Sequence, residues 1–105
     1  MMKIICKARG KGKTTDAVKI AIEKNIYLVV RSRDEAMRLS REFKDLRFPI
    51  TYDAILKGHA RGLTRTKGFR SVVIDDADAF INHVCLANGI DKVEAITIPY
   101  CNKEE

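Results

Sequence analysis

The run Gly10-Lys11-Gly12-Lys13-Thr14-Thr15 sets glycine, lysine and hydroxyl side chains in the order that binding a phosphate chain requires. Glycines let successive backbone N–H groups turn toward an anion, and a helix starting just after them adds the positive end of its dipole. A lysine placed there reaches terminal phosphates, and the hydroxyl that follows can ligate magnesium. Against the pattern G-x-x-x-x-G-K-[ST], Lys7 to Thr14 keeps the second glycine, the lysine and the threonine, and carries Lys7 at the first glycine. That exchange would widen the first turn and aim an extra cation at the ligand. Arg9, Gly10, Lys11, Gly12, Lys13, Thr14 and Thr15 form the expected phosphate-binding stretch. A basic surface loop running into a helix cap is the plainer structure open to the same residues.

A second chemical motif is Val72-Val73-Ile74-Asp75-Asp76, three β-branched residues ending in two carboxylates. A buried strand delivers such acids to its C-terminal end, where open α/β sheets bind ligands. Asp75, with Thr14, is expected to hold magnesium on the β- and γ-phosphates, and Asp76 to orient or deprotonate the attacking water. The competing structural role is a helix cap from Asp76 or Asp78 for a helix starting at Ala77. The two motifs, in this order, are far more specific together than either is alone.

Other candidates are weaker. The stretch 57–70 holds five Lys or Arg, three glycines and no acid, the composition of a basic loop that could contact nucleic-acid phosphates or lend an arginine finger. His59 and His83 have no metal-ligand partner at a useful spacing and read as structural or surface residues. Arg31 and Arg33 flank the end of a strand near the expected ligand edge, where they could touch phosphate; a solvated pair is their default role. Tyr27, Tyr52 and Tyr100 are too scattered for a base-stacking platform. Cys6, Cys85 and Cys101 are odd in number and lack a C-x-x-C, so reduced thiols are expected rather than a disulfide framework or zinc site.

These groups need a scaffold. The 105 residues, 46% hydrophobic and 32% charged, suffice for one small globular domain over 1–105. The longest apolar run is Ile26 to Val30, too short for a membrane span, and a cytoplasmic protein is expected. Residues 1–74 carry 18 Lys and Arg against 7 Asp and Glu, and residues 75–105 carry 2 against 7. The first part thus favours an anionic ligand, and the second a nearby cation.

Strands are expected at Lys3 to Cys6, Ile26 to Arg31, Phe48 to Thr51, Ser71 to Asp75 and Val93 to Ile98. Ala17, Val18, Ala21 and Ile22 mark one face of a helix from Thr14 to Lys24. Ser32 and Glu35 have the spacing of a capping box before a helix striped by Ala36, Leu39 and Phe43. Tyr52 to Leu56 reads as a helical turn. A further helix runs from Ala77 to Asn88, striped by Phe80, Ile81, Val84 and Cys85 and closed by Gly89. Five strands joined by helical crossovers imply a parallel sheet covered on both faces.

With these residues in place, the chain resembles P-loop NTPases of the additional-strand class, which holds helicases, terminase-type motors and AAA+ proteins. Gly12-Lys13-Thr14 resembles the Walker A motif and Val72 to Asp76 the Walker B motif. Ile26 to Arg31 with its following helix is similar to the helicase-like second strand, and Pro49 to Leu56 to the strand-and-turn before Walker B. The likeness spans most of the chain, and its specific parts are the two Walker motifs.

The resemblance implies a three-layer α/β/α domain on a mostly parallel, five-stranded P-loop NTPase sheet. It also implies binding of ATP, or of another nucleoside triphosphate, with Mg2+ and an ATPase in which Lys13 and Asp76 are catalytic. Such families usually carry glutamate where this chain has Asp76, one methylene shorter, so turnover is expected to be weak. Thr97 or Asn102 would take the place of the polar residue that senses the γ-phosphate. So minimal a core looks phage-like. The alternative is a non-catalytic nucleic-acid-binding or adaptor protein that works through its basic face. An exposed sheet edge would suit a homo-oligomer or a larger protein partner.

Overall fold

In the computed structural model the described residues are 4–5, 12–58 and 71–97. The central element is strand β1 (Tyr27–Val30), whose Leu28, Val29 and Val30 are all buried. An apolar strand of this kind must be covered on both faces. Leu28 and Val30 pack with Ala17, Val18 and Ala21 of helix α1 (Lys13–Lys24) and with Ala36 and Leu39 of helix α2 (Arg33–Glu42). Val29 faces the other way, into a cluster with Ile50 of strand β2 (Ile50–Thr51) and Tyr52 of helix α3 (Tyr52–Leu56). Ala79 and Phe80 of helix α4 (Ala77–Ala87) cover that second cluster.

Strand β3 (Val72–Ile74) completes a parallel sheet of three strands in the order β2-β1-β3. Val29 and Val30 of β1 stand opposite Ile50 and Thr51, and Tyr27 to Val29 opposite Val72 to Ile74. The Asp75 N–H donates to the Val29 carbonyl at 3.0 Å, carrying the ladder one residue past β3. All three strands therefore end toward the same edge. Among the described residues, no helix is long and apolar enough to cross a membrane.

The helix boundaries follow local chemistry. Gly12 precedes α1 at φ 84°, a conformation that suits glycine and not L side chains. Asn25 closes the helix in the left-handed region, its N–H satisfied by carbonyls of the last turn. The Ser32 hydroxyl accepts from the Glu35 N–H at 3.2 Å, which is half of the expected capping box. The other half does not form. Glu35 instead takes two hydrogen bonds from the Arg38 guanidinium, at 2.8 and 3.0 Å, since a charge-assisted fork outcompetes a single backbone amide. The Thr51 hydroxyl caps α3 by accepting from the Ala54 N–H at 3.2 Å.

The expected five strands reduce to three among the described residues. Ile4 and Ile5 form no strand, and Lys3 and Cys6 lie outside the described residues. Val93 to Thr97 has no ladder partner and is exposed except for half-buried Val93; Ile98 lies outside the described residues. A short apolar run becomes a strand only when another strand pairs with it. The strand at 71–75 is shorter and less buried than its composition implies: Val72 is 39% and Ile74 40% exposed, because only Val73 faces a core cluster. Helix α4 likewise buries no residue fully.

Candidate functional site

The start of α1 and the turn after β3 meet at the C-terminal edge of the sheet. The Thr14 hydroxyl donates to Asp75 Oδ2 at 3.0 Å, joining residues 61 apart in sequence. Asp75 is buried, and its Oδ1, also buried, has no hydrogen-bond partner among the described residues. Burial pushes the Asp75 carboxyl above its ordinary value, and the Thr14 hydrogen bond works against that rise. An acidic oxygen held dry and unpartnered is costly unless a cation compensates it.

Magnesium fits these donors. A hydroxyl and one carboxylate are hard oxygen ligands, and this ion is commonly held by one or two carboxylates together with substrate phosphates. A cage made wholly of protein ligands is not available: among the described residues, no three His, Cys, Asp or Glu side chains gather.

Asp76 stands at φ 58° and ψ 69°, left-handed space that Asp tolerates better than most residues. It occupies the N-cap position of α4, yet its side chain makes no capping hydrogen bond. The carboxylate instead turns to two cations: Lys13 Nζ lies 2.6 Å from Oδ1 and Arg31 Nη2 3.6 Å from Oδ2. The hydrogen bond with Asp76 raises the Lys13 ammonium above its ordinary value, so it is fully charged at neutral pH. The helix-cap alternative therefore fails for the Asp76 side chain.

One element of the site is absent from the motif reading. Tyr52, 1% exposed, donates its hydroxyl hydrogen to the Asp75 carbonyl at 2.6 Å, with the Asp76 carbonyl at 3.1 Å. Its ring meets Phe80 edge-on, with centroids 5.1 Å apart. Burial, followed by the nearby Asp76 and Asp75 charges, pushes the phenol up to about 12, so it remains a donor throughout the neutral range. Tyr52 thus ties the two-acid turn to α3. Its sequence signal was slight, one tyrosine directly after a short apolar strand. Arg31 was legible as a residue near the expected ligand edge, but its pairing with Asp76 was not.

The remaining candidates separate clearly. Gly12, Lys13, Thr14 and Thr15 line a cleft of about 510 Å³ together with Arg31 and Asp76. Arg9, Gly10 and Lys11 lie outside the described residues, as do His59, Asn102 and the 57–70 loop beyond Gly58. Thr97 is exposed in a segment without regular structure and is not joined to the site. His83 lies on α4 with Nε2 2.6 Å from Asp53 Oδ1, a surface pair; this hydrogen bond lowers the Asp53 carboxyl below its ordinary value. Tyr27 lies under the Arg47 guanidinium, 5.5 Å from the ring centroid. Cys85 is a free thiol. No protein-family model, curated protein or solved structure matches this chain.

Proposed function

We propose that the chain binds ATP with Mg2+ through a P-loop and hydrolyses it slowly. The observation that carries this reading is the Thr14 to Asp75 hydrogen bond beside the unpartnered Asp75 Oδ1. Two motifs far apart in sequence thereby present a hydroxyl and a buried carboxylate at one point, next to a fully charged lysine. Backbone amides between Gly10 and Thr15 would cradle the phosphates, and Lys13 would neutralise their charge. Thr14 and Asp75 would hold the magnesium ion, which when bound withdraws charge from the phosphate oxygens.

Asp76 is the group that orients the attacking water or takes its proton. Its side chain is one methylene shorter than the glutamate of the families that this chain resembles. It also begins in contact with Lys13, and both features favour slow turnover. The basic composition of residues 1–74 leaves room for nucleic acid as a partner that acts together with the nucleotide.

The test is calorimetric titration of ATP with and without magnesium, on wild type, Thr14→Ala and Asp75→Asn. Magnesium is expected to strengthen ATP binding to the wild type and to do so far less in either variant. Equal magnesium dependence in all three proteins would overturn the assignment of these two residues.

A further inference from the structure

We propose that Arg31 is a terminal-phosphate contact of this nucleotide site, and that the Asp76 carboxylate holds the terminal phosphate's place between Lys13 and Arg31 before nucleotide arrives. This inference rests on the nucleotide-binding reading above and adds a residue that the phosphate-loop and two-acid motifs do not contain.

Arg31 directly follows β1, whose Val29 is registered opposite Ile74 and accepts from the Asp75 N–H. The backbone therefore delivers Arg31 and the two-acid turn to one edge of the sheet. There the two Asp76 oxygens are shared between cations from separate elements, Lys13 at the start of α1 and Arg31 at the end of β1. Two cations converging on one anionic group define a position for negative charge. A phosphoryl group offers three oxygens to such a position where the carboxylate offers two.

The Arg31 contact is loose as it stands. At 3.6 Å it is an ion pair beyond ordinary hydrogen-bond length, and the arginine side chain is 66% exposed. Exposed pairs of this kind contribute little and exchange at small cost. The guanidinium fork matches phosphate oxygens better than it matches one distant carboxylate oxygen. Arg31 and Asp76 are also the two residues that line both the cleft at Lys13 and a neighbouring cleft of about 330 Å³ at the start of α2. An incoming terminal phosphate would take both cations, and the released Asp76 carboxylate would be free to meet the attacking water.

The experiment is calorimetry of Mg-ATP and Mg-ADP on the full chain, comparing wild type with Arg31→Ala, Arg31→Lys, Asp76→Asn and Lys13→Ala. Circular dichroism of each variant serves as the folding control. Arg31→Ala should weaken Mg-ATP by at least about tenfold, as expected for one charge-assisted contact, and change Mg-ADP by less than about twofold. Arg31→Lys, which keeps the charge and loses the fork, should fall between the two. Asp76→Asn should bind Mg-ATP more tightly than wild type, because the competing anion is gone.

Equal losses of ATP and ADP affinity in Arg31→Ala, no loss of either, or weaker ATP binding by Asp76→Asn would overturn the proposal. Wild-type binding that Lys13→Ala abolishes and Arg31→Ala leaves untouched would remove Arg31 alone and keep the nucleotide site. No nucleotide binding by folded wild type would remove both.

Discussion

Asp75 and Asp76 are neighbours in sequence with opposite environments, and their roles divide accordingly. Asp75 is 5% exposed with one oxygen unpartnered among the described residues, whereas Asp76 is more accessible and shared between two cations. A buried charge without compensation lowers stability, and sites that bind cations commonly retain that cost. Asp75→Asn keeps an oxygen to accept the Thr14 hydroxyl and removes the charge. It is expected to raise unfolding stability by about 1 kcal/mol while losing most of the magnesium-dependent ATP affinity. Chemical denaturation alongside calorimetry checks this, and a variant that is less stable than wild type would contradict it. Asp76→Ala should lose phosphate release while still binding ATP; a loss of folding would return Asp76 to a structural role. These acids and Thr14 stood out in the sequence because a glycine-lysine-threonine run and a β-branched strand ending in acids are specific as a pair, though each alone has plainer uses. Tyr52 was not, since its hydroxyl acts on carbonyls 23 and 24 residues away and nothing local encodes that reach.

At the scale of elements, each helix start depends on a small device that can be removed singly. Ser32→Ala should cost about 1 kcal/mol of stability through loss of the α2 cap, read as a lower denaturation midpoint with an unchanged denaturant slope. The Arg38 fork holds the Glu35 carboxyl below its ordinary value of 4.5. The folded state therefore prefers the ionised form. The stabilisation is complete above that ordinary value and declines as pH falls through the lower folded value. Because Arg38 is exposed, the effect is a few tenths of a kcal/mol, and Glu35→Gln should flatten the acid limb of the stability profile by that amount. Amphipathic helices were the most readable elements, for Ala17, Val18 and Ala21 report one face directly from their spacing. Strands were less so. Val93 to Thr97 has the composition of a strand, but pairing depends on a neighbour that composition does not specify. The same holds for β3, where Val72 and Ile74 are β-branched yet exposed.

Across the whole molecule, one buried strand organises both core clusters and the edge that carries the candidate site. Leu28, 0% exposed, belongs to the cluster that joins β1 to α1 and α2, so Leu28→Ala should cost about 2–5 kcal/mol and is expected to unfold much of the protein at ambient temperature. The charge division follows the same geometry. The basic first part supplies Lys13 and Arg31, and the acidic second part begins at Asp75 and Asp76, the second of which pairs with both cations. A polyphosphate carrying a divalent cation complements both parts at once, which a simple anion does not. The most direct test of this account is Mg-ATP binding by calorimetry, on wild type and Lys13→Ala in parallel. Saturable binding that Lys13→Ala weakens by about 1.5–3 kcal/mol, the worth of one charge-assisted contact, is the expected result. Equal affinity in the two proteins would contradict it.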